Sequence, residues 1–386
     1  MNTKQLQFLA DIQTGPFGSQ LHKEDYVEIG TPIVTVEHLG NRIFTEQNLP
    51  RVSDDDKARL EKYVLQHGDI VFSRVGSVDR CSFVDEEHDG WLFSGRCLRV
   101  RPNEQIDAMY LYYYFCMEET KQFVRNIAVG ATMPSINTKL MGEVPITYPS
   151  LIEQKRTAKI LAAIDDRIEN NTKINDNLQQ QATSLFAKLY DHAETDVGFT
   201  EIIQILGGGT PKTGESSYWN GNVPFFTPKD VGSPYTLTTE KTITEEGLAH
   251  CNSHLYPVNT VFVTARGTVG KVGLPGLPMA INQSCYALVG KGTHQLLVYF
   301  YTLKAVDRLK HKASGAVFDA ITTRDFESET IKMLSDGDAK TFLDVAEPIY
   351  QAILSNSREN MRLGTLRDTL LPRLISGDID LSEISI

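Results

Sequence analysis

No window of the 386 residues approaches the roughly 20 uninterrupted apolar residues of a membrane-spanning helix. The first residues, MNTKQLQFLADIQTG, hold no apolar stretch long enough for a secretory signal. The chain therefore reads as a soluble, cytoplasmic protein with no membrane partner. Cysteine is sparse: Cys81, Cys97, Cys116, Cys251 and Cys285 are scattered, odd in number and without a CxxC. This excludes a disulfide framework and a zinc-ribbon site, and leaves buried reduced thiols as the expectation. Catalytic signatures are missing too. The nine histidines form no HExxH, the acidic residues form no nuclease-like cluster, and no Gly-rich turn opens a dinucleotide-binding unit. There is no Asn/Asp-Pro-Pro-aromatic tetrad of the kind that grips an extruded base. The glycine-rich stretch from Leu206 to Gly214 lacks G-x-x-x-x-G-K-[ST] spacing, and Pro211 removes an amide from the would-be phosphate cradle. The chain reads as no enzyme, with no cofactor or metal of its own.

Positive charge is also short, for the formal net charge is −11. Residues 1–150 carry 15 Lys/Arg against 21 Asp/Glu, whereas 197–335 carry 12 against 11. Runs such as Asp54-Asp55-Asp56 and Asp85-Glu86-Glu87 suit solvated loops. An acidic protein can still bind DNA through one basic face or with phosphate contacts from a partner, so charge alone does not exclude nucleic acid.

What is present is a repeat. Ile164, Ile168, Asn171, Asn175, Leu178, Leu185 and Leu189 recur 185 positions later as Ile349, Ile353, Asn356, Asn360, Leu363, Leu370 and Leu374. Residues 151–192 follow Pro149, contain no Gly or Pro, and step apolar or Asn positions by alternating fours and threes from Thr157 through Leu161 to Leu189. That is a heptad stripe on one long helix, about 40 residues and on the order of 60 Å. A second rod is expected from about 337 to 375. The globular segments repeat as well. Strand-like runs at 32–36 and 69–72 are echoed at 223–227 and before 263, and an amphipathic segment near 107–127 is echoed near 293–312. Ser73-Arg74-Val75-Gly76-Ser77-Val78 resembles Thr264-Ala265-Arg266-Gly267-Thr268-Val269 with its arginine one place later, and 315–331 parallels 130–146. If the rods pack antiparallel about a pseudo-two-fold axis, Asn171 is expected opposite Asn356 in the seam, a polar pair that sets register at a cost in stability. The remaining seam positions are Leu161, Ile164, Ile168, Asn175, Leu178, Leu185, Ile349, Ile353, Asn360, Leu363 and Leu370.

Three stretches in this order resemble the specificity (S) subunits of Type I restriction-modification systems. They are Val144-Pro145-Ile146 through Pro149-Ser150-Leu151-Ile152-Glu153-Gln154, then Gly207-Gly208-Gly209-Thr210-Pro211 with Tyr218-Trp219 and Val223-Pro224, and the closing Leu370-Leu371-Pro372-Arg373-Leu374-Ile375-Ser376-Gly377-Asp378-Ile379. The resemblance covers essentially the whole chain. Two places depart from it. The first segment has Thr14-Gly15-Pro16-Phe17-Gly18-Ser19 in place of the Gly-Gly-Thr-Pro turn, and the second helix opens on Asp336-Gly337-Asp338 without the Glu-Gln pair.

The resemblance implies an α+β fold: two α/β target-recognition domains (1–150 and 193–335) separated by two long antiparallel, coiled-coil-like helices (151–192, and 336–386 with its tail) in a pseudo-two-fold internal repeat. It implies a non-catalytic chain reading a bipartite double-stranded DNA target. Two modification subunits would bring S-adenosylmethionine and methyl transfer, and restriction subunits would bring ATP with Mg2+. The competing reading is a helical scaffold or adaptor that joins two protein-binding modules without touching DNA.

Direct readout needs donors and acceptors held on ordered loops. In the first module the candidates are Ser73, Arg74, Ser77 and Arg80 on one turn and Ser135, Asn137, Thr138 and Lys139 on a second loop. In the second they are Arg266, Thr268 and Lys271, then Thr322, Thr323 and Arg324, with Lys212, Thr213 and Lys229 beside them. The basic run Lys304, Arg308, Lys310, His311, Lys312 is either a phosphate-facing helix end or a solvated face.

Overall fold

The computed structural model describes residues 1–16, 20–312 and 320–379. Phe17, Gly18 and Ser19 of the first departure, and 315–319 of the second-module repeat, lie outside the described residues. The chain divides into two compact units, one formed by Met1–Arg167 with the segment from Leu363 onward, the other by Ile168–Arg362. The long helices Leu151–Asp191 and Asp336–Ile375 are each shared between the units.

In the first unit Asn2–Gln5 pairs antiparallel with Pro145–Tyr148, which leads into the first long helix. Four antiparallel strands follow in the order Ala10–Thr14, Cys97–Pro102, Ile70–Ser73, Cys81–Phe83. A second sheet orders Tyr26–Val27, Arg51–Val52, Thr31–Val34, Leu92–Phe93, with the last pair parallel. All four residues of Ile70–Ser73 are buried, as a central strand covered on both faces requires. The second unit repeats this plan. Thr195–Gly198 pairs with Thr330–Met333. Ile203–Gly207, Cys285–Gly290, Val261–Thr264, Val272–Pro275 and Tyr235–Thr236 form one sheet, and Lys241–Ile243, Trp219–Phe226 and Ala280–Ile281 another, again ending on a parallel pair. The 185-residue offset holds for Thr138–Gly142 against Thr323–Glu327. It widens to 188 between Cys97 and Cys285 and to 193 between Ala10 and Ile203, because turns between the strands differ in length.

Both long helices begin on the same device. Ser150 accepts from the Glu153 amide through Oγ (3.4 Å) while its own amide donates to the Glu153 carboxylate (3.0 Å). Ser335 Oγ accepts from the Asp338 amide (3.1 Å) and donates to its carboxylate (2.7 Å). The missing Glu-Gln pair therefore leaves the second helix capped by Ser335 and Asp338. Gln154, fully buried, does something else: its carbonyl accepts from the Asp107 amide (2.8 Å) and its amide donates to Pro149 O (2.9 Å).

The first unit divides a segment that the second keeps whole, and the second unit corrects one expectation. The 107–127 segment is two helices, Ala108–Cys116 and Glu118–Ile127, parted by an extended Met117, whereas Gln295–Lys312 runs unbroken. In the second unit Asn171 does not meet Asn356. Its Nδ2 donates to Glu359 Oε2 and Asn360 Oδ1 (both 2.9 Å), while Asn356 Nδ2 donates to Asn175 Oδ1 (2.9 Å). Antiparallel pairing makes the indices of facing residues sum to a constant, so the two equivalent pairs, 171 with 360 and 175 with 356, centre the local two-fold on residues 173 and 358. Of the other seam residues, Leu161, Ile164, Ile349 and Ile353 are buried, and Ile168, Leu178, Leu185, Leu363 and Leu370 are half-buried. A second apolar stripe, not expected from the heptads, faces the modules: Phe186, Tyr190, Phe342, Ala346 and Tyr350 in the second unit are buried in its core.

Candidate nucleic-acid interface

Two of the expected loops meet in each module, and one backbone contact between them is common to both. In the first, Ile136 N donates to Arg74 O (3.0 Å), Gly76 N to Pro134 O (2.8 Å), and Val75 bridges Ser135. In the second, Ile321 N donates to Ala265 O (2.9 Å). A third turn joins from behind: Arg74 N donates to Arg96 O and Ala265 N to Ser284 O, both at 2.8 Å. These contacts make Ala265, not Arg266, the counterpart of Arg74, and Arg266 the counterpart of Val75. Gly76 and Gly267, at φ +74° and +84°, turn the two loops in a left-handed conformation that suits glycine.

The candidates separate on this frame. Ser73 is buried, and its hydroxyl donates to Val75 O (2.7 Å), so it braces the turn and has no surface to offer a base. Arg74 is half-buried with Nη1 on Gly95 O (3.1 Å). Ser77 is exposed. Arg80 is exposed at one edge, but its Nη2 donates to Leu39 O and its guanidinium packs on Gly40, where a Cβ would come within 2.8 Å of Nε. Ser135 Oγ closes the loop on Val129 O (3.3 Å). Asn137 caps Thr138–Gly142 by accepting from Leu140 N (2.9 Å), which points Thr138 and Lys139 out of the first turn of that helix. Thr322, 185 residues on, caps Thr323–Glu327 with Asp325 and presents Thr323 and Arg324 in the same way.

Arg266, Thr268 and Lys271 are exposed around the second turn, where Thr268 Oγ1 donates to Pro228 O (3.1 Å) and so draws Lys229 alongside. Lys229 lies 3.6 Å from Glu240, an exposed pair of little energetic weight. Lys212 and Thr213 stand on a separate exposed loop, tied down by Trp219 Nε1 donating to Lys212 O (3.2 Å). Sequence reasoning overlooked Arg96, exposed on the turn behind Arg74, where the second module has Ser284. It marked the Thr132–Lys139 loop but not the apolar side chains Val129 and Met133 at its tip. Only the tertiary contact of the three turns marks either.

Three cations of the basic run on Gln295–Lys312 are engaged by the module itself. Arg308 donates to Thr330 O, and both Arg308 and Lys312 reach the buried Glu329 carboxylate. Lys304 lies over the Tyr190 ring, its Nζ 5.3 Å from the centroid. These three cations neutralise and brace the module, while Lys310 and His311 are exposed. The departure at Thr14-Gly15-Pro16 also narrows. A Cβ on Gly15 would fall 2.1 Å from Ser94 O, and one on Gly208 would fall 2.0 Å from Asn282 O, so both modules need glycine at this approach. Among the described residues no cluster of metal-ligating side chains occurs, and no helix is long and apolar enough to cross a membrane.

Two copies of one α/β module, each carrying its loops on the same three turns and followed by helices of 41 and 40 residues, define an internally duplicated two-module protein. Comparison with known proteins gives the particular family. Residues 1–180 and 196–337 match the model described as Type I restriction modification DNA specificity domain, and the chain belongs to that family. As a specificity component it is not itself an enzyme. It is 23% identical over 313 residues to the Type I restriction enzyme MjaIX specificity subunit of Methanocaldococcus jannaschii, covering 74% of this chain and 72% of that one. It is 23% identical over 403 residues to the HindI specificity subunit of Haemophilus influenzae, covering 82% and 88%. The fold matches the crystal structure of a Type I S subunit from M. genitalium at a TM-score of 0.63 and 14% identity, over 97% of this chain and 95% of that one.

Proposed function

We propose that each module reads one half of a bipartite, asymmetric double-stranded DNA site, and that the two helices, packed as a coiled-coil-like pair, set the spacer between the halves. The observation that carries this reading is the interface frame itself. Two backbone contacts among the turns are common to both modules, while the residues the turns present differ: Arg96 and Val75 in one, Ser284 and Arg266 in the other. A common scaffold with unlike loops suits two unlike half-sites.

Two modification subunits would dock on the chain and supply S-adenosylmethionine and the methyl transfer. Restriction subunits, where they join, would supply ATP with Mg2+. The complex would act in the cytoplasm, and this chain would bind none of those cofactors.

The test is binding of a random DNA pool by the chain assembled with its modification subunits, measured against salt. A steep fall of affinity with salt and an enriched two-part sequence are expected. No salt dependence and no enriched sequence would overturn the reading in favour of the protein-binding adaptor. Within the same assay Arg266→Ala should weaken one half-site and leave assembly intact. Inserting seven residues into each helix keeps the heptad and adds about 10 Å, so the selected spacer should lengthen by about three base pairs with both half-sites unchanged.

A further inference from the structure

The 129–135 loop of the first module ends in an apolar tip that no described residue of the module covers. Met133 is 65% exposed and Val129 is 55% exposed. The loop is nonetheless rigidly closed. Val129 N donates to Ser135 O (2.9 Å) and Ser135 N to Val129 O (2.8 Å), and Gly130, at φ +108°, approaches so closely that a Cβ would lie 2.6 Å from Met133 O. The tip is also pinned to the neighbouring turn through Pro134 O and Val75. An apolar side chain held in water on an ordered loop contributes nothing to the core and is free to contact a bound partner; what distinguishes this one is its place beside the three adjoining turns.

The surroundings say what kind of contact. Ser77 and Lys139 are exposed on the two segments that frame the tip. The nearby carboxylate of Asp79 is already neutralised by Arg125 Nη1 at 2.6 Å. A thioether among donors, with the local acid paired, fits a base edge that is itself apolar within a polyanion. Among the base edges of the major groove the thymine 5-methyl group has that character. We infer that Met133 is a specificity-determining residue that packs on a thymine methyl in the half-site read by the first module. This deepens the DNA-reading role proposed above and rests on it.

The experiment uses the full chain assembled with its modification subunits. The half-sites are first selected from a random pool, and each thymine of the first half-site is then replaced by deoxyuridine, which removes only the methyl. Wild type should lose about fourfold in affinity at one position, the worth of one buried methyl group. Met133→Ala should lose the preference for thymine there and be insensitive to deoxyuridine, while Met133→Leu should keep both. The second half-site serves as control and should not respond. Equal deoxyuridine effects in wild type and Met133→Ala, or none in either, would overturn the assignment while leaving the DNA-reading role standing. A wild-type complex that selects no sequence would remove both.

Discussion

The two units build the same joint between module and helix from opposite chemistry. In the first, Asp165, nearly buried, takes Arg367 Nη1 at 2.8 Å and the Tyr113 hydroxyl at 2.7 Å, and Arg42 adds an ion pair to Asp166 at 2.5 Å. The positions 185 residues away from Asp165 and Arg367 are Tyr350 and Ala182, and the second joint is aromatic. Phe186 lies tilted against Phe300 (4.9 Å between centroids, 35° between planes) and meets Phe342 at 5.3 Å, and Tyr350 meets Phe300 at 5.7 Å. Burial pushes the Tyr350 hydroxyl far above its ordinary range and Tyr299 up to about 12. Tyr113 is raised first by burial and then by the Asp165 charge, and Arg367 is raised by that same partner against the opposing effect of burial. A backbone plan thus tolerates either solution, and the two should fail differently.

The aromatic joint should show the largest loss. Phe186→Ala empties a site that is 2% exposed and should destabilise the second unit by about 4 kcal/mol. Trp91 lies in the first unit and Trp219 in the second, so denaturation of a chain keeping one tryptophan reports one unit. A loss under 1 kcal/mol would mean the cluster repacks.

The ionic joint comes next. Arg367→Ala leaves Asp165 buried without its cation and should cost the first unit about 3 kcal/mol. The pair Asp165→Tyr with Arg367→Ala, which copies the second joint, should recover part of that. If the double variant is the worse of the two, the joints are not interchangeable. Smaller again is the polar seam. Asn171→Ala removes two hydrogen bonds from the second unit and should cost about 1 kcal/mol, read from the same curves.

The smallest difference at neutral pH involves an element that the units share. Cys97 and Cys285 begin equivalent strands, and burial raises both thiols to about 12 from the ordinary 9.0. A raised thiol favours the folded state fully below the unfolded value and progressively less as pH climbs toward the folded one. Denaturation midpoints of both units should therefore be insensitive to these thiols from pH 7 to 9 and fall between 9 and 12. Cys97→Ala with Cys285→Ala should flatten that fall.

Much of the fold was legible because its signals are local. A Gly-free, Pro-free run behind Pro149 and Ser150 announces the first helix, and the 185-residue repeat announces the second. The second would be hard to read alone, since Pro348 lies inside it. It persists because Pro348 and Asp344, whose carbonyl loses its amide partner, face water, while Phe342, Ala346, Ile349 and Tyr350 are buried. The interface was only half legible. Arginine and threonine on Gly-containing turns marked loops that the fold brings together, but Ser73 proved buried, Arg74 tied back to Gly95, and neither Arg96 nor Met133 was singled out. Spacing along the chain does not say which side of a turn meets another turn.

By itself the sequence determined the long helices, their heptad stripe, the duplication and the family, since each depends on residue order over one element or on repetition. Tertiary structure decided the pairing of Asn171 with Asn360, the inward commitment of Arg308 and Lys312, and the counterpart relation of Arg266 to Val75. Each of these depends on which distant segments meet, and that is set by how buried apolar surfaces fit together in space.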